Sequence, residues 1–153
     1  MKKLIFLSLA ILTMFFTCEK IEVDQQVDNL SYGTSFGECL GYCIREIVVG
    51  GDIVFTKSGW EIDGALPDSS CSMTFIMDPL PAYVEKINIE DFQNLDDVIG
   101  CPDCADGGAE WLELSIDGDL KRVTFEYMNE PNELKLIVED LRELMDSFAD
   151  CQN

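Results

Sequence analysis

The sequence predicts an α+β fold: an antiparallel sheet built from two hairpins, with a C-terminal amphipathic helix packed on one face. Three observations carry that expectation. Two stretches with alternating or β-branched apolar residues each fold back on a glycine turn, one at Gly50-Gly51 and one at Asp117-Gly118. Near the C-terminus, apolar residues recur at helical spacing. The length, 153 residues, suits one small domain and not two.

The first hairpin runs from residues 44–49 through Gly50-Gly51 to residues 53–57. Two glycines at the tip reach positive φ without steric cost, which a tight hairpin turn requires. Residues 71–78 read as a third short strand, ended by Pro79 and Pro81. Asn88 then offers an N-cap, with Glu90 and Asp91 in the next turn, and predicts a short helix. The second hairpin, residues 111–116 and 120–128, turns on Asp117-Gly118. In its first strand Leu112, Leu114 and Ile116 share one face, and Trp111, Glu113 and Ser115 the other. In the closing segment Leu134, Val138, Leu141, Met145 and Phe148 fall at helical spacing, joined by Ile137 and Leu144. Pro131 fits its first turn, and the pattern predicts a helix of about five turns, long enough to cover a sheet face.

Charge and composition exclude several classes of function. The chain carries 30 Asp and Glu against 10 Lys and Arg, a net charge of -20. Such a surface repels phosphate backbones, so no nucleic-acid partner is expected. There is no histidine, which removes Ser-His-Asp and Cys-His nucleophilic sites and every His-ligated metal centre. No other set of residues assembles a recognisable active site, so the expectation is a protein that is not an enzyme and uses no cofactor.

The first twenty residues predict a destination. Lys2 and Lys3 precede an almost unbroken apolar run over residues 4–16, too short to span a bilayer and of the length of a signal-peptide core. The run closes on "FFTC", which resembles the lipobox of bacterial lipoproteins. That resemblance implies removal of residues 1–17 and acylation of Cys18. An acyl chain supplies about 0.8 kcal/mol of membrane affinity per buried methylene, which an acidic surface cannot. Residues 18–30 read as a lipidated N-terminus and polar tether, and residues 31–153 as a single domain. The expected location is therefore the bacterial envelope, anchored by lipid to the outer membrane.

Taking Cys18 out of seven cysteines leaves an even set: Cys39, Cys43, Cys71, Cys101, Cys104 and Cys151. In an exported domain of this size, disulfides are the default use. Proximity pairs Cys39 with Cys43 and Cys101 with Cys104, which leaves Cys71 for Cys151. Other uses compete. Cys101-x-x-Cys104 has the spacing of a thiol-redox site, but Asp103, Asp106 and Glu110 surround it and would raise the thiol pKa, and Gly107-Gly108 follow at once. Cys39, Cys43, Cys101 and Cys104 together could form a four-thiolate zinc or iron site, against the oxidising compartment. Asp103 and Asp106 are weak calcium candidates that lack the alternating spacing of a calcium loop. Trp60 and Trp111, near hairpin strand ends, are weak candidates for a binding face, although a tryptophan covering a sheet end is the commoner arrangement.

"SFGECLGYC" (35–43), "CPDCADGGAEWLEL" (101–114) and "VTFEYMNEPNELKLIVEDLREL" (123–144) together resemble a family of small exported bacterial lipoproteins with no established activity. The resemblance implies an exported domain and no particular substrate. The expected function is that of a lipid-anchored envelope protein acting as a non-catalytic binding or structural module on an unidentified protein or ligand. The alternative is a thiol-redox or metal-handling envelope protein that uses Cys101 and Cys104.

Overall fold

A computed structural model describes residues 25–149 and Cys151. Cys18 and the expected signal segment lie outside the described residues. The fold is mixed α+β, with a mostly antiparallel sheet and a C-terminal helix. Among the described residues, no helix is long and apolar enough to cross a membrane.

The strands are β1 (Val27–Ser35), β2 (Gly41–Val49), β3 (Asp52–Glu61), β4 (Gly64–Ala65), β5 (Ser69–Thr74), β6 (Val98–Ile99), β7 (Ala109–Ile116) and β8 (Asp119–Glu126). Across the sheet the order is β4-β3-β2-β1-β7-β8-β6, with β5 also paired to β3. Neighbours are antiparallel except β6 and β8, which are parallel. The centre strand is β1. It bonds to β2 on one side and to β7 on the other, and so joins the β2–β3 pair to the β7–β8 pair.

Residues 27–30, expected in the tether, thus belong to β1, and Leu30 is fully buried. The sequence of β1, "VDNLSYGTS", combines weak strand formers with a glycine, and its position between two partners is what makes it a strand. Gly33 stands directly opposite Trp111, and a Cβ at Gly33 would overlap the indole. The residue that weakens the strand pattern therefore makes room for the tryptophan.

One face of the sheet forms the core. Leu30 and Tyr32 of β1 align with Ile47 and Val49 of β2 and with Leu112 and Leu114 of β7. The helices are α1 (Leu80–Val84), α2 (Ile89–Asn94) and α3 (Lys135–Ser147). The Asn88 side chain caps α2 by accepting from the backbone N–H groups of Glu90 and Asp91, and α2 buries Phe92. Ile137, Val138, Leu141 and Met145 of α3 are buried, and Phe148 just beyond it stacks on Phe55 of β3 at 5.5 Å. Each such side chain contributes about 1.5–3 kcal/mol by leaving water.

Several boundaries differ from expectation. The third strand spans Ser69–Thr74, so residues 75–78 lie outside it. The last helix has 13 residues, shorter than about five turns, because Pro131 is extended and Asn132–Leu134 form a tighter 3₁₀ turn first. Strand β2 begins at Gly41, next to the first cysteine pair.

The sheet has two ends. The chain enters β1 at the near end, where Val27 stands opposite Ile116, Asp52 opposite Thr74, and the tips at Gly50-Gly51 and Asp117-Gly118 lie. The distal end holds the close of β1, the start of β2 and β7, and the end of β8.

Candidate functional site

The distal end gathers most of the residues that the sequence singles out. Cys39 and Cys43 form one disulfide and Cys101 and Cys104 another, with Cα separations of 5.7 and 5.5 Å. The two loops touch: Oδ1 of Asp103 accepts the Gly37 N–H at 3.2 Å. The Cys101 loop is anchored below by Glu126 at the end of β8, which accepts from the Cys101 N–H at 2.8 Å and from Asn129 at 2.9 Å. These two hydrogen bonds, the backbone one foremost, hold the Glu126 carboxyl below its usual pKa. Inside the loop, Cys104 N–H donates to Cys101 O, Gly107 N–H to Cys104 O and Asp103 N–H to Gly108 O. Asp103, Ala105 and Asp106 all have positive φ, between 53° and 60°. Aspartate tolerates that region, whereas for Ala105 it costs about 1–2 kcal/mol. The stretch is a closed turn around a disulfide, and the only helical element in it is a single 3₁₀ turn over Cys104–Asp106.

The third disulfide, Cys71–Cys151, has a Cα separation of 6.1 Å and ties β5 to the chain beyond α3. Among the described residues, no group of three or more Cys, Asp or Glu side chains converges as a metal site. Asp103 and Asp106 are both exposed, and Asp103 already accepts from Gly37. Trp60 lies on β3 and is partly exposed. Trp111 is buried: its ring lies against Gly33, Arg122 stacks over it at 5.1 Å, and Nε1 donates to Glu46 at 3.4 Å. It therefore offers no open face to a ligand.

A different set of residues makes the more distinctive site. Glu110, the second residue of β7, is fully buried on the core face, in phase with Leu112 and Leu114. A buried carboxylate is costly unless it is paired. Arg142 of α3 supplies the pair in fork geometry, Nε to Oε1 at 3.1 Å and Nη2 to Oε2 at 2.6 Å, and also donates to Glu130. Burial disfavours the Arg142 charge, but the hydrogen bonds to Glu110 and Glu130 outweigh it and its pKa rises. The same contact with Arg142 lowers the Glu130 pKa.

Tyr32 sits beside this pair. Its side chain is fully buried, and its hydroxyl is the one buried side-chain polar atom without a hydrogen-bond partner among the described residues. Burial, and next the Glu110 charge, push its pKa far up, so the phenol stays neutral. Tyr32, Glu110 and Arg142 line a cavity of about 240 Å³. A neighbouring cavity of about 190 Å³ lies between Tyr42, Phe55, Lys57 and Phe148. Arg45, Met145 and Asp146 line both, so the two adjoin under the C-terminal end of α3.

The sequence reading passed over Tyr32, Arg45 and Arg142 and set Glu110 beside the Cys101 and Cys104 thiols, whereas Glu110 turns inward to Arg142; two of the four left a signal. Glu110 interrupts the apolar alternation of β7 on its inward face. Arg142 falls one turn from Val138 on the apolar stripe of α3. An acid and a base, each in phase with a core face, are each other's natural partners. Arg45 and Tyr32 carry no such mark, since nothing local shows that their strands are neighbours. No protein-family model matches the chain, and no curated protein matches it.

Proposed function

We propose that the chain is a lipid-anchored protein of the bacterial envelope, akin to the small exported lipoproteins it resembles. It acts as a non-catalytic binding module that stands on the membrane by its near end and presents its distal end outward. The observation that carries this reading is the placement of chain entry. Gln25 and Val27, the first described residues after Cys18, lie at the near end, and the cavity and the two short disulfide loops lie at the other. The near end also carries Phe75, Ile76 and Met77, directly after β5, with Ile76 fully exposed and Met77 82% exposed. Three consecutive exposed apolar residues are unusual in a soluble surface and suit a lipid interface. In this reading the sheet is two hairpins bridged by β1, and the amphipathic face of α3 closes the core and roofs the cavity.

Mass spectrometry of the full chain expressed in a diderm bacterium tests it. The expected mature N-terminus is an acylated Cys18, and Cys18→Ala is expected to lose the acyl group and leave the membrane fraction. An intact leader, or an unmodified cysteine in a soluble protein, overturns the anchored reading.

The second reading, a thiol-redox protein working through Cys101 and Cys104, has one observation in its favour: both cysteines are exposed. Its test is a redox titration of the full chain. A pair reduced at potentials near those of thiol oxidoreductases, roughly -270 to -120 mV, supports it, and a pair resistant below about -300 mV removes it.

A further inference from the structure

Seven lysines and arginines fall among the described residues: Arg45, Lys57, Lys86, Lys121, Arg122, Lys135 and Arg142. Five of them pair with carboxylates. Lys57 donates to the Cys151 carbonyl at 2.8 Å and lies over the Tyr42 ring. Arg45 alone has no ion pair or hydrogen bond to a described residue. Its side chain is exposed, and in a chain with three acids for every base it stands free of them where the two cavities meet. The Tyr32 hydroxyl lies beside Glu110 and Arg142 and is closed off from the larger cavity. The lining of that cavity includes Phe36, Tyr127, Met128 and Met145, with Phe36 and Tyr127 packed edge to face at 4.9 Å.

We propose that the distal cavity binds a small monocarboxylate with an apolar body, its carboxylate held by Arg45 and its body against Phe36, Tyr127 and the two methionines. This deepens the binding-module reading, which supplies its setting, while the argument rests on the cavity residues. A guanidinium pairs with a carboxylate through two parallel hydrogen bonds. A phosphate dianion does not fit the charge balance. The charge of Arg142 is already offset by Glu110 and Glu130, Asp146 stands on the rim, and the whole chain is strongly negative. One unpaired cation suits one negative charge. At about 240 Å³ the cavity lies below the roughly 300 Å³ at which drug-sized pockets begin, so the ligand is small.

Calorimetric titration of the full chain in detergent with benzoate tests this, with benzamide and inorganic phosphate as probes of matched shape and of charge. Saturable binding of benzoate is expected, with benzamide at least about tenfold weaker and phosphate not saturating. Arg45→Ala is expected to weaken benzoate at least about tenfold, with Arg45→Lys in between. Absence of saturable binding to both benzoate and hexanoate overturns the proposal. So does binding indifferent to Arg45→Ala, or equal binding of benzamide. The two readings fail separately: an unacylated Cys18 removes the membrane anchor and leaves the titration untouched, whereas a silent titration with acylated Cys18 removes the carboxylate site alone.

Discussion

At the scale of single residues, the Glu110–Arg142 pair decides how the core closes at the distal end. Glu110 is fully buried and Arg142 partly so, and Glu130 completes the set. Removing one member of such a pair is worse than replacing both, because the survivor keeps its desolvation cost and loses its partner. Arg142→Ala is expected to cost about 3–5 kcal/mol in denaturant unfolding. Glu110→Met with Arg142→Met should cost much less than either single change taken alone. Acid should weaken the cluster in a defined direction. The Glu130 carboxyl has a lower pKa folded than unfolded, so the unfolded chain binds the proton more readily. Its contribution is complete above the unfolded value, about 4.3, and is lost as pH falls through the lower folded value. Glu130→Gln is therefore expected to flatten the loss of melting temperature below about pH 4, measured against wild type across that window. A variant as acid-sensitive as wild type would show that Glu130 does not contribute there.

At the scale of elements, the three disulfides do different work. Cys39–Cys43 and Cys101–Cys104 close loops of sequence separation 4 and 3, whereas Cys71–Cys151 spans 80 residues. In the chain-entropy picture a cross-link stabilises by restricting the unfolded chain, so the long one contributes about 4–5 kcal/mol and each short one roughly 2. Replacing Cys71 and Cys151 by alanine is expected to lower unfolding free energy by about 4 kcal/mol, and replacing Cys101 and Cys104 by less than half of that. Equal losses in denaturant titrations would assign the stability to local loop order instead. How much of each element was legible follows from where its cause lies. The glycine turns, the Asn88 cap and the apolar stripe of α3 are local patterns, and they stand in the sequence. Strand β1 was missed because its cause is non-local: it is held by β2 and β7, and its least strand-like residue, Gly33, answers to Trp111 78 positions away. The cavity shares that fate, since Tyr32, Arg45 and Arg142 meet only once three separate elements have packed.

At the scale of the whole molecule, the proposed anchoring asks an acidic domain to approach a membrane without electrostatic help. Its net charge of -20 disfavours anionic headgroups, and the near end itself carries Asp28, Asp52, Asp117 and Asp119. Only apolar contact remains, and Phe75, Ile76 and Met77 supply it, with Leu120 exposed at the start of β8 on the same end. Fully burying one such side chain is worth about 1.5–3 kcal/mol. Contact is therefore expected to be strongest on zwitterionic lipid, where the carboxylates meet no opposing charge. Hydrogen exchange on the full acylated chain in phosphatidylcholine vesicles, compared with Cys18→Ala free in solution, reads this directly. Amides at residues 75–77 and 118–120 are expected to slow, while the distal loops at residues 61–64 and 104–107 keep their free rates. Adding phosphatidylglycerol should reverse part of that protection, and salt should restore it by shortening the Debye length from about 10 Å at 0.1 M towards 3 Å at 1 M. Protection at the distal loops instead would invert the orientation, and would place the cavity of Tyr32 and Arg45 against the membrane.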